Sequence, residues 1–327
     1  MTLRKLFQEI PSLMSKQMID ALKPGEPVDA PFMVVESSLR GTRAGGAYLA
    51  LTLADRTGQI QGRLWDATEA FAATILPEEI IQVKGRAESY QNQLQLNIRA
   101  ITKPEPETLR LGDFLPQCPR DPVQMARDLT ALLATIQEPH LKALVDSLLA
   151  DKEFMDSFRT APAAVVNHHA YLGGLMEHTL AMMQMALRVC EQYPQLRRDL
   201  LLTGAFIHDI GKTRELTYHR AFRYSVPGNL VGHITIGVMM LDEHARKLPD
   251  FPPQTLNMLS HMILSHHGQY DFGSPKLPMF AEAMALHYLD NLDAKLKDIA
   301  ETIAEDKNSD PDWTDWVRSL DRKLYKG

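Results

Sequence analysis

Alternating apolar and polar residues characterise the first third of the chain. Four runs alternate in this way, and the turn-forming segment ADRTG (54–58) separates the first two. The runs are YLALTL (48–53), QIQGRLW (59–65), IIQVKGRAESY (80–90) and QLQLNIRAI (93–101). A short helical stretch near residues 66–76 lies between the second and third runs. This spacing predicts a small antiparallel β-barrel within residues 27–104.

Prolines interrupt the pattern directly after the barrel. They occupy positions 104, 106, 116, 119 and 122. Because proline fixes φ and removes a backbone donor, neither a strand nor a helix continues easily through such a segment. We therefore predict a linker over residues 105–122, and we treat residues 1–26 as an N-terminal helical extension.

From residue 123 to residue 305, apolar residues recur three or four positions apart, which is the period of an amphipathic helix. The clearest runs are Met125–Ile136, Leu141–Leu149, Leu172–Val189, Leu200–Ile210 and Leu230–Leu241. The last helix, predicted over residues 281–305, carries Asp290 and Asp293, and residues 306–327 form a charged tail. The pattern predicts an α+β multidomain protein whose second domain is all-α and contains no strand.

Composition and charge limit the number of domains and the cellular location that we expect for the protein. A chain of 327 residues with 45% apolar content fits two folded domains, and its net charge of −6 provides no global attraction to phosphate. Cys118 and Cys190 lack the spacing of a metal-ligand pair, and the start MTLRKLFQEIPSL has no apolar run typical of a secretion signal. No stretch approaches the roughly 18 apolar residues of a membrane span. We therefore expect a cytoplasmic protein that does not contact membranes.

Histidines and aspartates concentrate in the helical half. His208 and Asp209 are adjacent in the apolar run GAFIHDIGK, where burying both without an ion or a partner would be costly. A single helical histidine is usually an ordinary core or surface residue, but His178, His233 and Asp290 accompany this pair. Imidazole and carboxylate groups bind divalent metals, and metals suit phosphoester hydrolysis. The motifs of zinc deaminases and of HExxH proteases do not occur in the sequence.

The order of these residues resembles a known signature. His178, the His208-Asp209 pair thirty residues later, and Asp290 in HYLDNLDAK are arranged as in the HD phosphohydrolase superfamily. The resemblance implies an all-helical fold over roughly residues 160–300 and a first metal bound by these four residues. It also implies a second metal that His233 binds and that Asp209 bridges to the first.

The same resemblance implies that the SHHG segment completes the second site. His266 and His267 are neighbours at a predicted helix end, so their side chains point about 100° apart and only one of them needs to face the metals. The spacing leaves open which of the two is the ligand.

Two further charged residues acquire roles from the resemblance. Lys212, four residues after His208, is expected to act with Asp209 in catalysis by neutralising a phosphate oxygen, although a cation at a helix end is also stabilised by the helix dipole. Asp293 follows Asp290 by three residues and shares its helix face, so we expect it to support the metal site from outside the ligand set.

The barrel sequence is similar to the nucleic-acid-binding OB-fold, a five-stranded barrel that holds single strands by base stacking and by grooves. Trp65 stands at a strand end, where an aromatic residue is usually part of the core. His169, next to His168 and just before GGLMEHTL, is a further candidate to contact the substrate. The barrel residues expected to contact RNA are Arg63, Lys84, Arg86, Tyr90 and Arg99.

An OB-fold that leads through a proline-rich linker into HHAYLGGLMEHT, HDIGK, GHITIG and SHHG resembles the YhaM family of bacterial 3′→5′ exoribonucleases over nearly the whole chain. The resemblance implies trimming of single-stranded RNA, and of some single-stranded DNA, to nucleoside 5′-monophosphates. It implies two divalent metal cofactors, with manganese favoured over iron, cobalt, magnesium or zinc. HD and OB modules often assemble, so a second copy of the chain is among the expected partners.

Two alternatives stay open at this point. The helical domain could be a phosphohydrolase or phosphodiesterase of nucleotides or cyclic dinucleotides, with the barrel in a regulatory role. The chain could also bind RNA without hydrolysing it, although every ligand type of an active site is present. A labelled single-stranded RNA would separate these alternatives, because a ladder of products requires a polymer.

Overall fold

The computed structural model describes residues 16–42, 45–91, 93–104, 109–165, 169–218, 221–306 and 308–327. They divide into two compact units. The first reaches to Pro116, and the second comprises residues 117–218 and 222–327. His168 and the first fifteen residues of the predicted N-terminal extension lie outside the described residues. The described part of that extension contains a short 3-10 turn, Ile19–Ala21.

The N-terminal unit is a closed five-stranded barrel, as the OB-fold resemblance predicts, and the four alternating runs correspond to four of its strands. Its strands are β1 (Pro27–Gly41), β2 (Ala47–Asp55), β3 (Gly58–Trp65), β4 (Ile80–Tyr90) and β5 (Gln93–Thr102). They follow one another around the barrel in the order β1-β2-β3-β5-β4. One pair, β3 with β5, is parallel, because β2 and β4 both run antiparallel to β1, and β3 and β5 are antiparallel to β2 and β4 in turn. The short helix α1 (Glu69–Ala72) lies between β3 and β4.

Alternate apolar side chains fill the barrel. Leu49, Leu51 and Leu53 of β2 are fully buried, and so are Leu96 and Ile98 of β5. Each such side chain contributes about 1.5–3 kcal/mol by leaving water. The burial therefore fixes the register of the strands, because a shift by one residue would turn these side chains outward.

The predicted linker is only partly a connector. Residues Leu111–Asp113 form a short 3-10 turn, and Phe114 and Leu115 are buried. The carbonyl of Asp113 accepts a hydrogen bond of 3.0 Å from the backbone N–H of Arg56. The part of the proline-rich segment up to Pro116 thus belongs to the N-terminal unit, and the boundary between the units falls inside the segment.

The C-terminal unit is helical and encloses one apolar core. Its helices are α2 (Pro122–Leu133), α3 (Pro139–Ala150), α4 (Lys152–Thr160), α5 (Gly174–Gln192), α6 (Arg198–Ile207), α7 (Lys212–Glu215), α8 (Val226–Leu230), α9 (His233–Ala245), α10 (Pro253–Ser265) and α11 (Ala281–Glu305). The prediction of an entirely strand-free unit is corrected by a small ribbon in which β6 (Leu216–Thr217) pairs with β7 (Arg223–Tyr224). Strands of two residues leave no periodic pattern in a sequence.

The first helices of this unit begin where the sequence offers a cap. Asp121 accepts a hydrogen bond from Val123 and precedes a proline at the first helical position of α2. Asp151 accepts from Phe154 at the start of α4. In the described part of the chain, no helix combines the length and the apolar content that crossing a membrane requires.

Candidate metal centre and nucleic-acid interface

The histidines and aspartates of the helical half converge at one place in the C-terminal unit. α5, the turn after α6, the start of α9, the end of α10, and α11 each contribute at least one side chain. These side chains belong to His178, His208, Asp209, His233, His266, His267 and Asp290. Apolar residues of the same helices form the core of the unit, so these polar groups lie in otherwise apolar surroundings.

The first cluster joins α5, the α6 end and α11. His178 Nε2 lies 3.2 Å from His208 Nε2 and 3.3 Å from Asp290 Oδ1. Asp209 Oδ2 lies 3.3 Å from His208 Nε2. The ligand atoms of His178, His208 and Asp290 all lie within 4.8 Å of one another, which is close enough for one ion to contact all three.

The second cluster contains His233, His266 and His267, whose ligand atoms also lie within 4.8 Å of one another. The other carboxylate oxygen of Asp209, Oδ1, lies 3.5 Å from His233 Nε2 and 3.6 Å from His266 Nε2. Asp209 therefore presents one oxygen to each cluster. The structure brings both SHHG histidines to the site.

Each of the five imidazoles is held at Nδ1 by a fixed acceptor. Because carbonyl and carboxylate oxygens only accept, this nitrogen carries a proton, and Nε2 is the ring atom that remains to bind a cation when the ring is neutral. The acceptors are Asp293 for His178 (2.7 Å), the Ala205 carbonyl for His208 (2.9 Å), Glu215 for His233 (3.1 Å), the Ile263 carbonyl for His266 (2.7 Å) and the Phe272 carbonyl for His267 (2.8 Å).

Three buried atoms at the centre have no hydrogen-bond partner among the described residues. They are Asp209 Oδ1, His233 Nε2 and His266 Nε2. A buried acceptor without a partner costs about 1–3 kcal/mol, so a protein rarely keeps three of them together for structural reasons alone. The mixed nitrogen and oxygen donor set fits a divalent metal.

Charges at the centre suit the same interpretation. Lys212 Nζ lies 2.6 Å from Asp209 Oδ2. Burial alone would raise the pKa of Asp209, but the ammonium of Lys212 and the neighbouring imidazoles hold that pKa well below its ordinary value. Burial lowers the pKa of His266, and burial together with the neighbouring His266 and His233 lowers the pKa of His267 to about 4. Both rings are therefore neutral at pH 7, as metal ligands must be.

The protonation of His178 differs from that of His266 and His267. Burial would lower its pKa, but hydrogen bonds to Asp290 and Asp293 raise the pKa of His178 to about 9. A cation that binds Nε2 of His178 must therefore displace a proton, which makes its binding dependent on pH.

Two carboxylates behind the ligands were not singled out from the sequence. Glu215 accepts hydrogen bonds from the backbone N–H (2.8 Å) and the Nδ1 (3.1 Å) of His233. Its position, seven residues after His208 and so two turns along, is the signal that could have identified it. Glu177 precedes His178 directly and contacts His169, which is buried rather than at the surface. Asp293 Oδ2 lies 2.7 Å from His178 Nδ1, and the ligand atoms of His169, His178 and Asp293 lie within 4.8 Å of one another. The place of Asp293 outside the ligand set stays a prediction.

A patch of aromatic and basic side chains lies on the outer face of the barrel. The Arg63 guanidinium stands 5.1 Å from the ring centre of Tyr90 and 5.7 Å from that of Tyr48. The rings of Tyr48 and Trp65 lie 5.1 Å apart. The expectation that Trp65 belongs to the core is wrong, because the side chain is 45% exposed, and Tyr48 was not anticipated.

The other basic barrel residues predicted to contact RNA are exposed on nearby strands. Arg86 and Arg63 both lie opposite Asn97, from β4 and β3. Lys84 is paired with Asp29 at 3.1 Å, which reduces the charge it offers to phosphate. Arg99 is exposed on β5. A groove beside the patch, of about 130 Å³, is lined by Tyr48, Gln61, Arg63, Tyr90 and Gln93 among others.

Comparison with known proteins agrees with this division of the chain. Residues 33–104 match the family model described as an OB-fold nucleic acid binding domain, and residues 175–295 match the HD domain. Fold and site together define a two-domain protein of the HD superfamily that carries an OB-fold.

Relatives of this architecture match almost end to end. The protein named 3′-5′ exoribonuclease YhaM of Bacillus subtilis is 37% identical over 307 residues, which are 92% of this chain and 95% of the relative. The protein of the same name in Geobacillus sp. is 36% identical over 92% of each chain. That of Listeria monocytogenes serotype 4b is 32% identical over 95% of this chain and 98% of its own. The chain belongs to the YhaM family.

Proposed function

We propose that this protein is a metal-dependent 3′→5′ exoribonuclease that shortens single-stranded RNA to nucleoside 5′-monophosphates. The observation that carries the proposal is Asp209, whose two oxygens face two separate clusters of buried nitrogen and oxygen ligands. Near full-length likeness to proteins named 3′-5′ exoribonucleases supports the choice of polymer and polarity. A nucleotide or cyclic dinucleotide hydrolase is not favoured by any of these relatives.

Seven side chains would hold two divalent ions. His178, His208 and Asp290 face the first position, His233, His266 and His267 face the second, and Asp209 serves both. Two ions held in this way, with manganese as our preferred identity, would activate a water and neutralise charge on the phosphate. Lys212 keeps its proton because Asp209 raises its pKa although burial would lower it, so it offers a fixed positive charge to a phosphate oxygen.

The barrel would capture the strand. Tyr90 and Trp65 expose ring surface on which bases can stack, the half-buried Tyr48 lies beside them, and Arg63 supplies a cation among the three rings. Stacking on an aromatic side chain contributes about 1–3 kcal/mol per base and does not depend on sequence. This binding mode accepts single-stranded DNA as well as RNA, and we propose both as ligands, with RNA as the substrate.

The test is digestion of single-stranded RNA labelled at either end, with manganese present. For 3′→5′ attack, the 5′-labelled strand should yield a ladder and the 3′-labelled strand should release its label at once. The variant His208→Ala, Asp209→Ala should lose hydrolysis and keep RNA binding, and a chelator should inactivate the wild type equally. His261→Ala, a histidine outside both clusters that accepts a hydrogen bond from the Met279 N–H, is the control and should keep its activity.

Unchanged RNA degradation by the double variant would overturn the proposal. A wild type that hydrolyses nucleoside triphosphates or a cyclic dinucleotide, and leaves RNA intact, would favour the alternative. We propose the cytoplasm as the site of action, supported by two cysteines that form no disulfide. Self-association is also proposed, and sedimentation of the purified protein tests it directly.

A further inference from the structure

Another group of polar side chains, outside both ligand clusters, contacts the proposed metal ligand His178. It consists of His169, Tyr171, Glu177, Asp293 and Lys297, none of which belongs to the two ligand clusters described above. The sequence suggested that His169 contacts the substrate. The side chain is instead 3% exposed, and the ring lies between two carboxylates.

One carboxylate oxygen links His169 to a proposed metal ligand. Asp293 Oδ2 lies 3.0 Å from His169 Nε2 and 2.7 Å from His178 Nδ1. Asp293 therefore accepts from both rings at once. The His169 ring thus helps to hold the oxygen that orients the His178 ring, whose Nε2 faces His208 and Asp290.

The opposite side of the His169 ring is also fixed. His169 Nδ1 lies 3.0 Å from Glu177 Oε2, and the hydroxyl of Tyr171 donates to the same carboxylate oxygen. Lys297 Nζ stands 3.7 Å from that oxygen and 5.4 Å from the centre of the Tyr171 ring. Asp293 and Lys297 both lie on α11, so the cluster ties α11 to the start of α5.

The backbone places the ring by an uncommon conformation. His169 has a φ of 55°, in the left-handed region, and its carbonyl accepts from the backbone N–H groups of Ala163 (3.1 Å) and Tyr171 (2.9 Å). A Cβ at Gly174 would lie 2.1 Å from that carbonyl oxygen, so only glycine allows α5 to begin this close. Strained backbone held by so many partners is typical of functional sites.

We propose that His169 is a positioning residue for the metal centre, acting through Asp293 on the ligand His178. This inference rests on the proposed metal site, since it concerns the affinity of that site for its ions. The role requires His169 to be buried and hydrogen-bonded at both nitrogens, which is the arrangement observed. A substrate contact would require an exposed ring.

The test is titration of the full-length, metal-free protein with Mn²⁺ alone, followed by calorimetry. His169→Ala should weaken Mn²⁺ binding by about 10–100-fold, the usual effect of losing such an outer partner. At saturating Mn²⁺ the variant should recover most of its RNA hydrolysis with an unchanged KM. His169→Asn, which tolerates the left-handed backbone and keeps one donor, should restore part of the affinity. It also replaces the alanine variant if that variant does not fold.

The matched control is His244→Ala. His244 is equally buried in the same unit, and its Nδ1 lies 2.8 Å from Ser147 Oγ. It stands near the opposite end of α9 from His233 and belongs to neither ligand cluster. Its removal should lower stability and leave Mn²⁺ affinity unchanged. Wild-type Mn²⁺ affinity in His169→Ala, or a raised KM at saturating metal, would overturn the inference.

A second comparison separates this inference from the proposed function. If His208→Ala, Asp209→Ala binds Mn²⁺ as the wild type does, the metal site itself is wrongly assigned. If that double variant loses Mn²⁺ and His169→Ala does not, the metal site stands and only the positioning role fails.

Discussion

Gly211, the glycine of HDIGK, sets the distance between the two ligand clusters. A Cβ at this position would lie 2.0 Å from the carbonyl oxygen of His233 and 2.7 Å from the backbone nitrogen of Gly237. Both atoms belong to the backbone of α9 and cannot rotate away. Gly211→Ala must therefore push the start of α9 away from the HDIGK turn by roughly 1 Å, because interiors are close-packed.

Two effects of that displacement can be estimated. Overpacking of this kind costs about 1–3 kcal/mol, which lowers the melting temperature of a unit this size by about 2–4 °C per kcal/mol. The second effect is a loss of activity through His233. In the wild type its Nε2 lies 3.5 Å from Asp209 Oδ1, and its backbone N–H donates to Glu215 at 2.8 Å. A shift of about 1 Å in a catalytic constellation lowers a rate by about 100-fold.

The measurement combines a thermal melt with RNA hydrolysis at saturating Mn²⁺. Gly237→Ala is the control, because its Cβ would come tightly only against the side chain of Ile263, at 3.3 Å, and would be in ordinary contact with Gly211 N at 3.7 Å and Ile210 at 3.9 Å. Mid-helix alanine also gains about 0.5–1 kcal/mol over glycine. We expect it to keep both stability and rate. A Gly211→Ala protein as stable and as active as the wild type would refute the reasoning.

Three further predictions follow from the site and the barrel. Mn²⁺ at 100 times its dissociation constant should stabilise the wild type by about 2.7 kcal/mol in calorimetry, and the increment should vanish in His208→Ala, Asp209→Ala. Burial would raise the pKa of Glu177, but hydrogen bonds from His169 and Tyr171 lower it to about 2 from 4.5, so about 3 kcal/mol of stability present above pH 4.5 should be lost as the pH falls toward 2. Glu177→Gln should lack this acid dependence in urea titrations, and an unchanged profile would contradict the assignment. Tyr90→Ala should raise the KM for a long RNA by about 10-fold and leave the KM for a dinucleotide unchanged. An unchanged KM for the long RNA would show that the aromatic patch does not bind the strand.

Much of the site could be predicted because its motifs are local. GAFIHDIGK places two metal-capable side chains at the end of an apolar helix, and the structure finds His208 fully buried there with Asp209. The pair of Asp290 and Asp293 likewise follows from helix geometry, since residues three apart share a face. Neither inference needs to know where the other helices lie.

The residues that sequence reasoning missed or misplaced depend on contacts between distant segments. His169 and Asp293 are 124 positions apart, and Arg63 and Tyr90 belong to different strands. Trp65 is the last residue of β3. At a strand end, the alternating pattern does not predict whether the barrel covers the side chain. Tyr48 becomes a candidate only once β2 and β3 are paired.

By itself, the sequence determined the order of elements, a small β-barrel followed by helices, and the set of histidines and aspartates able to bind metal. Those properties depend on periodicity and on side-chain chemistry, which a linear chain displays directly. Tertiary structure alone decided which oxygen of Asp209 faces each cluster, that Nδ1 of every ligand histidine bonds to a fixed acceptor, and that His169 is buried between two carboxylates. Such relations arise when packing brings separate helices within hydrogen-bond distance, and local patterns carry no record of that approach.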